Sequence, residues 1–455
     1  MLAAIQTLVA DGGLPAPTQT DANLLWARLQ MAFTLGVHIV FACLGVGLPV
    51  LMLAAEGLGL RRGDPLWTAL ARRWAKSFAV LFAVGAVSGT VLAFELGLLW
   101  PRFMGTFGAV IGLPFTLEGF AFFLEAIFAG IYLYGWDKLS PRAHWWSGVP
   151  IALSGAASAW FVVTSNAWMN TPQGFAVDAS GTVVDADPIA AMMNAATWPQ
   201  TTHMLVAAYM VSGFLVAGFY AARLLRRPDS RYDRRALALG LALGGAASLL
   251  QPAVGHWAGH VVAATQPAKL AAREGQFHTE RRAPLRLGGL PDEERMETPW
   301  AIELPGGLSF LAHNDFDAEV QGLEEFPRSD WPPVAIVHVA FQLMVAIGMA
   351  LLALSLVAGW SWWRRGALPA GRWFLVAVVA SAPASALALE AGWVVTEVGR
   401  QPWIVQGVMR TEDAVTDAPG LLAVLCVTVA IYAVLVLGCL SVLRILARQP
   451  LPEDA

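Results

Sequence analysis

Ionisable side chains inside long apolar segments are the residues of this sequence best suited to chemistry. His38 lies in LGVHIVF, His203 in QTTHMLVAAY, and Glu118 and Glu125 lie in LEGFAFFLEA. The two carboxylates are seven residues apart, which places them on one helix face about 10.5 Å apart along the axis. Such groups are costly in hydrocarbon, so each needs a partner or a function. A proton path along this face is one interpretation, and a pair of buried, hydrogen-bonded structural groups is the other.

Imidazole and thioether side chains can bind haem iron, and a His paired with a Met suits a low-spin haem of fairly high potential. His203 and Met344, in AFQLMVAIG, fall at compatible depths of their apolar segments. A lone intramembrane His more often bonds a neighbouring helix, and a lone Met is usually ordinary packing. Spacing does not show that these two residues face each other. The residues alone therefore leave redox chemistry and proton-coupled transport both open.

The elements that must position these residues are membrane helices. Of the 455 residues, 57% are hydrophobic and 14% are charged, against roughly 45–50% and about 25% in soluble domains. Runs of about 20 mostly apolar residues predict membrane helices, and continuous rather than alternating apolarity argues against membrane strands. The predicted spans are 24–55, 77–100, 108–135, 145–169, 197–225, 235–263, 333–363, 371–397 and 419–446.

The sequence therefore predicts an all-α integral membrane protein with nine transmembrane helices, forming a single membrane domain over residues 1–455. Residues 264–332, between the sixth and seventh helices, are rich in charge, Pro and Gly and predict an extramembrane loop. The net charge of −4 offers no basic footprint for nucleic acid. Three cysteines without a CxxC or CxxCH motif argue against disulfides, thiolate metal sites and covalently attached haem.

Basic residues predict the orientation. Lys and Arg cluster in the first, third, fifth and seventh loops, whereas 170–196 contains none. Because loops rich in Lys and Arg stay in the cytoplasm, we expect these loops and the C-terminus to be cytoplasmic. The N-terminus and the 264–332 loop are then extracytoplasmic. Residues 1–22 lack the basic start of a cleaved secretory signal, so we expect the first apolar run to direct insertion.

The segment GRQPW at 399–403, preceded by EAGWVVTEV, resembles the signature of subunit I of the cytochrome bd-type quinol oxidases. HIVF in the first span, LEGFAFFLE in the third, SAWFVVTSNAWMNTPQGF at 158–175 and QPAKLAAREG at 266–275 follow the family in order. Nine helices also match, and so does the long loop between helices six and seven, which resembles the shorter form of that loop in the family. The resemblance covers nearly the whole chain. It implies a quinol:oxygen oxidoreductase of the bacterial cytoplasmic membrane that reduces O2 to water with protons taken from the cytoplasm.

The resemblance also implies three haems, two of type b and one of type d, with b as the alternative for the third. His203 and Met344 match the axial ligands of the low-spin haem b. His38 and Glu397 match the ligands of the two high-spin haems, without showing which residue serves which haem. Trp393 matches an aromatic residue between haems.

Further residues match the family's proton and quinol sites. Glu118 and Glu125 match carboxylates near the oxygen-reducing haem, and Ser158 and Asn166 match polar groups that line its proton supply. Arg400 matches an arginine near the haem propionates. The loop at 264–332 matches the quinol-binding loop, and its quinol-linked residues match Lys269 and Glu274. A Lys and a carboxylate five residues apart could bind the quinol oxygens and accept protons.

Three departures from the family pattern bear on the details. Ala93 stands where a Glu is usual, and Glu95 is about 200° further around the helix. Gln342 replaces an Arg two residues before Met344, and the family's usual acidic segment after the sixth span is replaced by GHWAGH. These departures leave open a divergent relative with only b haems that reduces O2 or another small acceptor. A proton-coupled transporter is the third interpretation, although no inverted repeat supports it.

The resemblance further implies partners. Family members work with a homologous second membrane subunit, and some add a very small third subunit. Membrane quinol and O2 are the expected substrates, and the lipid bilayer is the expected surroundings.

Overall fold

The computed structural model describes residues 19–179 and 182–449. Within those ranges nine helices are long and apolar enough to cross a membrane, so the predicted fold class is confirmed. The helices are α1 Gln19–Arg62, α2 Pro65–Leu99, α3 Pro101–Tyr134, α4 Pro141–Asn170, α5 Thr197–Leu224, α6 Arg231–Thr265, α7 Val334–Arg365, α8 Arg372–Glu397 and α9 Leu421–Arg448.

Several helices begin well before the apolar runs that identified them. Helix α2 starts at Pro65 because Asp64 caps it, accepting a hydrogen bond from the Leu66 amide at 3.0 Å, and Pro is suited to a first helical position. Its first turns carry Arg72, whose guanidinium lies 3.1 Å from Asp137. Arg72, Arg73 and Lys76 are compatible with a helix but lower the mean hydropathy of this stretch, so a hydropathy window omits it. The predicted spans therefore locate the membrane-crossing part rather than the whole helix.

Helix α5 is the centre of the bundle and packs against α1, α4, α6 and α8. Its contact with α6 is close because both helices present glycine. A Cβ built on Gly213 would lie 2.5 Å from the Cα of Gly244. Small residues let membrane helices approach in this way, which favours dispersion contacts and helix association. Two-thirds of the apolar stretch of α5 is buried, against 11% for α7.

Short elements fill the connections. The α6–α7 connection contains a helix at Pro267–Glu274, strands β3 Glu280–Arg281, β4 Leu285–Gly288, β5 Ala301–Leu304 and β6 Glu319–Val320, a helix at Gly307–His313, and 3-10 turns at Leu323–Glu325 and Arg328–Asp330. Strands β3 and β6 pair, as do β4 and β5. We call the end of the bundle that carries this connection the loop side.

The other connections on the loop side are shorter. Strands β1 Ala176–Val177 and β2 Val183–Val184 pair before a helix at Pro188–Met192. After α8, a 3-10 turn at Val398–Arg400 leads to strands β7 Trp403–Val405 and β8 Met409–Arg410 and a helix at Thr411–Ala414. All four strand pairs are antiparallel.

The contact between α5 and α6 generates a prediction. Gly213→Val forces side-chain atoms into the Gly244 backbone, so we expect overpacking to cost about 1–3 kcal/mol and the thermal midpoint of the detergent-purified complex to fall. Gly359→Val on α7 is the matched control, because no atom lies within 4 Å of its Cβ position. Equal midpoints for the two variants would contradict the close packing.

Candidate functional site

A hydrogen-bonded network surrounds Glu397 where α8 ends on the loop side. Asn166 of α4 donates its amide to Oε1 of Glu397, and Nη2 of Arg400 donates to Oε2 at 2.6 Å. The 3-10 turn at Val398–Arg400 brings Arg400 beside Glu397. Arg400 is 3% exposed, and its Nε and Nη1 have no partner among the described residues. A buried guanidinium with spare donors is suited to a further anionic group.

Lys269 belongs to the same network. Its Nζ donates to Oδ1 of Asn170 at 2.5 Å and lies 3.3 Å from the carbonyl oxygen of Thr396. Asn170 in turn donates to the carbonyl oxygen of Asn166 at 2.9 Å. The Lys269 stem packs against Gly399, where a Cβ would lie 3.2 Å from Cγ. The structure therefore brings Lys269 to the end of α8, where it contacts Thr396 and Gly399, the neighbours of Glu397 and Arg400 in the chain.

Electrostatics at Lys269 follow from this burial. Burial lowers the pKa of Lys269 well below its usual range, and the nearby positive charge of Arg400 lowers it further, while Glu397 opposes both effects. A buried ammonium is costly unless it is fully hydrogen-bonded. Asn170 is therefore an important partner, although sequence reasoning did not single it out.

His38 lies between α1 and α2 with one ring nitrogen engaged. Its Nδ1 is 2.8 Å from Oγ of Ser88, and the Ser88 hydroxyl donates to the Val84 carbonyl at 2.9 Å. Since that hydroxyl hydrogen is in use, the Ser88 oxygen accepts from Nδ1–H, which leaves a lone pair on Nε2. Such a partner commonly fixes the tautomer of a metal-binding His. Gly89 lies against the ring, where a Cβ would be 3.1 Å from Cε1.

His203 and Met344 lie against neighbouring helices. The amide of Gln251 on α6 donates to Nε2 of His203 at 3.1 Å, so this nitrogen carries a lone pair. A Cβ at Gly255 would lie 3.5 Å from Cε1 of the same ring. The sulfur of Met344 lies 3.1 Å from the Cβ position of Gly392 on α8. The structure thus positions His203 at the α5–α6 contact and Met344 at the α7–α8 contact.

Trp393 lies one residue beyond Gly392. It is partly buried and packs against a cluster that includes Ile39 of α1, Val211 of α5 and Leu389 of α8. The indole therefore lies where three of the candidate-bearing helices meet.

The predicted proton-path residues divide between two places. Glu125 is buried at the α3–α4 contact, with its Oε1 3.2 Å from the Cβ position of Gly155. Glu118 and Ser158 are partly buried on the same two helices. Asn166 follows Gly155 by eleven residues, about 16 Å along α4, and contacts Glu397 instead. The structure therefore does not bring Asn166 to Glu125.

The residues that depart from the family pattern have defined surroundings. Glu95 is buried and accepts hydrogen bonds from Gln30 at 2.9 Å and Thr34 at 2.5 Å, whereas Ala93 is exposed. Glu95 and position 93 thus point in different directions. His256 and His260 lie within α6, not after the sixth span as expected, and contact each other through their Nε2 atoms at 3.1 Å. The described ranges contain no cluster of three or more His, Cys, Asp or Glu residues that could hold a metal ion.

Two residues of α7 hold the connection in position: His338, which sequence reasoning missed, and Gln342, which it noted only as a departure from the family pattern. His338 is fully buried, with Nδ1 2.9 Å from the Arg273 carbonyl oxygen and Nε2 3.0 Å from that of Gly288. Gln342 accepts from the Gly288 amide at 3.0 Å and donates to the Arg286 carbonyl at 2.9 Å. Their spacing of four residues on one helix face, just before Met344, is the signal that could have found them.

Glu274 lies at the end of the loop helix, next to this contact. Its Oε1 accepts from Nε of Arg273 at 3.1 Å, and its Oε2 has no hydrogen-bond partner within residues 19–179 and 182–449. Burial raises the pKa of Glu274, and the positive charges of Arg273 and His338 oppose the rise. This free carboxylate oxygen can accept a hydrogen bond or a proton from a ligand.

A second buried cluster, also missed, lies at the end of the bundle opposite the loop side. Glu56 of α1 lies 2.7 Å from Nδ1 of His144 and accepts from the Tyr132 hydroxyl at 2.6 Å. The three side chains are nearly inaccessible. Glu56 follows the predicted first span, and neither hydropathy nor spacing showed that it would meet α3 and α4.

Comparisons with known proteins cover nearly the whole chain. The family model described as "Cytochrome bd terminal oxidase subunit I" matches residues 26–450. The putative cytochrome bd menaquinol oxidase subunit I of Bacillus subtilis (strain 168) is 38% identical over 440 residues, covering 95% of this chain and 98% of the relative. The cytochrome bd-II ubiquinol oxidase subunit 1 of Escherichia coli (strain K12) is 27% identical, with coverages of 85% and 88%.

A solved structure is also similar. The structure of bd oxidase from Geobacillus thermodenitrificans matches with a TM-score of 0.87 and 40% identity, covering 94% of this chain and 99% of that one.

The buried lysine network generates a prediction. Asn170→Ala removes the nearer of the two acceptors of Lys269 Nζ, at 2.5 Å, and leaves only the Thr396 carbonyl at 3.3 Å; loss of a partner by a buried donor costs about 1–3 kcal/mol. We expect a lower thermal midpoint of the purified complex. Gln173→Ala is the control, because its amide bonds the Ala190 carbonyl in an exposed position. The double variant Lys269→Met with Asn170→Ala should recover part of the loss, and an unchanged midpoint for Asn170→Ala alone would refute the argument.

Proposed function

This chain belongs to the cytochrome bd terminal oxidase subunit I family, and we propose that it transfers electrons from a membrane quinol to O2 through haems held by His38, His203, Met344 and Glu397. The family is one of haem-containing quinol oxidases that work as multi-subunit membrane complexes. Quinol oxidase activity, a membrane location and a partner subunit therefore hold for this chain.

The observation that carries the finer proposal is that three donor side chains each lie against a glycine of a neighbouring helix. Gly89 faces His38, Gly255 faces His203 and Gly392 faces Met344. A Cβ at Gly89 would lie 3.1 Å from the His38 ring and one at Gly392 3.1 Å from the Met344 sulfur, so glycine allows each donor to keep its position. Imidazole, thioether and carboxylate groups fit the donor set that haem iron takes, although Gln251 must turn aside from His203. Bound haem supplies the iron centres that carry single electrons and reduce oxygen.

We propose two b haems and one d haem, with His203 and Met344 serving the low-spin haem b. His38 and Glu397 serve the high-spin haems. Arg400 supports this arrangement because its buried, unpartnered donors suit haem propionates, and Trp393 lies in the apolar cluster between the helices that carry the donors.

Quinol is proposed to bind at the 264–332 loop. Glu274 has a free, buried carboxylate oxygen that can take a proton from a quinol hydroxyl as electrons leave. Lys269 is directed toward Asn170 and also contacts the Thr396 carbonyl, so its contribution is to hold the end of α8 in position.

The proton supply is proposed to run along α3 and α4 from the cytoplasm. Glu125 and Glu118 share one face of α3, and Ser158 lies on the adjoining helix. With quinol protons released on the loop side and oxygen's protons taken from the opposite side, the two half-reactions separate charge across the membrane. A homologous second membrane subunit, with a very small third in some complexes, completes the assembly. Exposed Phe120 and Phe123 of α3 offer apolar surface for lipid or that subunit.

A difference spectrum of the reduced minus the oxidised complex tests the haem assignment. We expect a low-spin b band with a separate far-red chlorin band, and Met344→Leu should abolish the low-spin band because it removes a side chain that would hold the low-spin haem iron. Met349→Leu on the same helix is the control, since Met349 is 53% exposed. Only b-type bands would indicate the b-only relative. No haem absorbance, with the partner subunit present, would contradict haem binding and favour a transporter.

Labelling from outside the cell tests the proposed orientation. In a Cys426→Ser background, Glu294→Cys places an exposed thiol in the α6–α7 connection and Lys138→Cys places one between α3 and α4. Because the basic residues predict the loop side to be extracytoplasmic, a membrane-impermeant maleimide should label position 294 alone in intact spheroplasts. Labelling of position 138 alone would reverse the topology.

A further inference from the structure

Both ring nitrogens of His338 face hydrogen-bond acceptors. Its two ring nitrogens lie 2.9 and 3.0 Å from the carbonyl oxygens of Arg273 and Gly288. A carbonyl oxygen only accepts hydrogen bonds, and a neutral imidazole has one N–H to donate. Both contacts are satisfied only when both nitrogens carry hydrogen. A neutral ring would direct a lone pair at a carbonyl oxygen in a fully buried position, which is costly.

A buried imidazolium needs an anion nearby, and Glu274 is the carboxylate next to it. Glu274 directly follows Arg273, whose carbonyl binds the ring. It is 2% exposed and retains an unpartnered Oε2 within the described ranges. The positive charge of His338 favours the ionised form of this carboxylate. The imidazole thus joins α7 to the acidic residue of the loop helix electrostatically as well as through its hydrogen bonds.

We propose that His338 is a cationic positioning residue of the quinol site, keeping Glu274 ionised so that Oε2 can accept a quinol hydroxyl. This inference rests on the proposed function and extends it to α7. Quinol oxidation releases two protons and two electrons. One proton passes from a hydroxyl to Oε2 of Glu274 as that O–H bond breaks, the second leaves to solvent, and the electrons go to the oxidase's oxygen-reducing chain.

The other charged groups around His338 have their own partners. Arg273 of the loop helix pairs with Glu274. Arg286 of β4 pairs with Glu303 at 3.0 Å and Glu280 at 3.6 Å. Glu293 accepts from the first amide of α7, at Val334. The neighbouring cluster between α7 and α8 is apolar, formed by Val337, Ala340, Ala391 and Val395.

The test is the pH dependence of kcat/KM for decylubiquinol and a short-chain menaquinol, measured on the whole complex. Losing a nearby positive charge raises the pKa of a carboxyl, so in His338→Gln the acid limb should move to higher pH by about one unit, with about a tenfold loss below it. His338→Lys keeps the charge and enough donors for both carbonyls, so its limb should stay near that of the wild type. The haem difference spectrum shows whether each variant is assembled.

Two variants separate charge from support. His278→Gln removes a histidine that pairs with Glu324 at 2.8 Å in an exposed part of the same connection, and its limb should not move. Gln342→Ala removes the side-chain hydrogen bonds to β4 without changing the charge. We therefore expect KM to rise while the acid limb of the pH profile of kcat/KM stays at the same pH. A His338→Gln enzyme with reduced activity and an unmoved limb would show that His338 only supports β4, and would overturn the inference.

Glu274→Gln distinguishes this failure from failure of the quinol site itself. Wild-type kcat/KM at every pH in Glu274→Gln would overturn the proposed quinol site. A large loss in Glu274→Gln, together with an unmoved limb in His338→Gln, would overturn the role of His338 alone. When both proposals hold, His338→Gln causes no further limb shift in the Glu274→Gln background, because the carboxyl that it influences is gone.

Discussion

The cost of burying charge in an apolar protein governs this structure. Two ionisable groups on the loop side have partners from other elements: Lys269 has Asn170, and Glu397 has Asn166 and Arg400. Because an unpaired charge is expensive in such surroundings, these bonds join α4, the loop helix and the end of α8. Arg400 and Glu274, which have buried polar atoms without a partner among the described residues, are groups to which the proposed function assigns a ligand.

Glycine residues determine how closely the helices and some of the proposed donor side chains pack in the bundle. At the α5–α6 contact, Gly213 and Gly244 bring two backbones together, which strengthens helix packing. Beside His38, His203 and Met344, glycines accommodate a side chain instead of a backbone, because a Cβ at Gly89, Gly255 or Gly392 would press against the donor. The same residue type therefore supports both helix association and the positions of the proposed donors.

The sequence predicted the nine spans because continuous apolarity is a local property that a window detects. The GRQPW and LEGFAFFLE segments identified the family, which the comparisons confirm. Asn166 illustrates what could not be predicted, since its contact with Glu397 joins residues 231 positions apart. Asn170 and Glu56 were missed for the same reason: their partners depend on the packing of elements that are distant in the sequence, and no local pattern encodes that packing.

The manner in which α7 holds strand β4 has a consequence for how such loops diverge. His338 and Gln342 bind main-chain carbonyl and amide groups of residues 286–288 rather than their side chains. Every amino acid except proline offers both of those groups. Substitutions along β4 can therefore accumulate without releasing it from the helix. Related chains can share this attachment after their loop sequences have drifted beyond recognition, and a comparison of loop residues alone would underestimate how much architecture they retain.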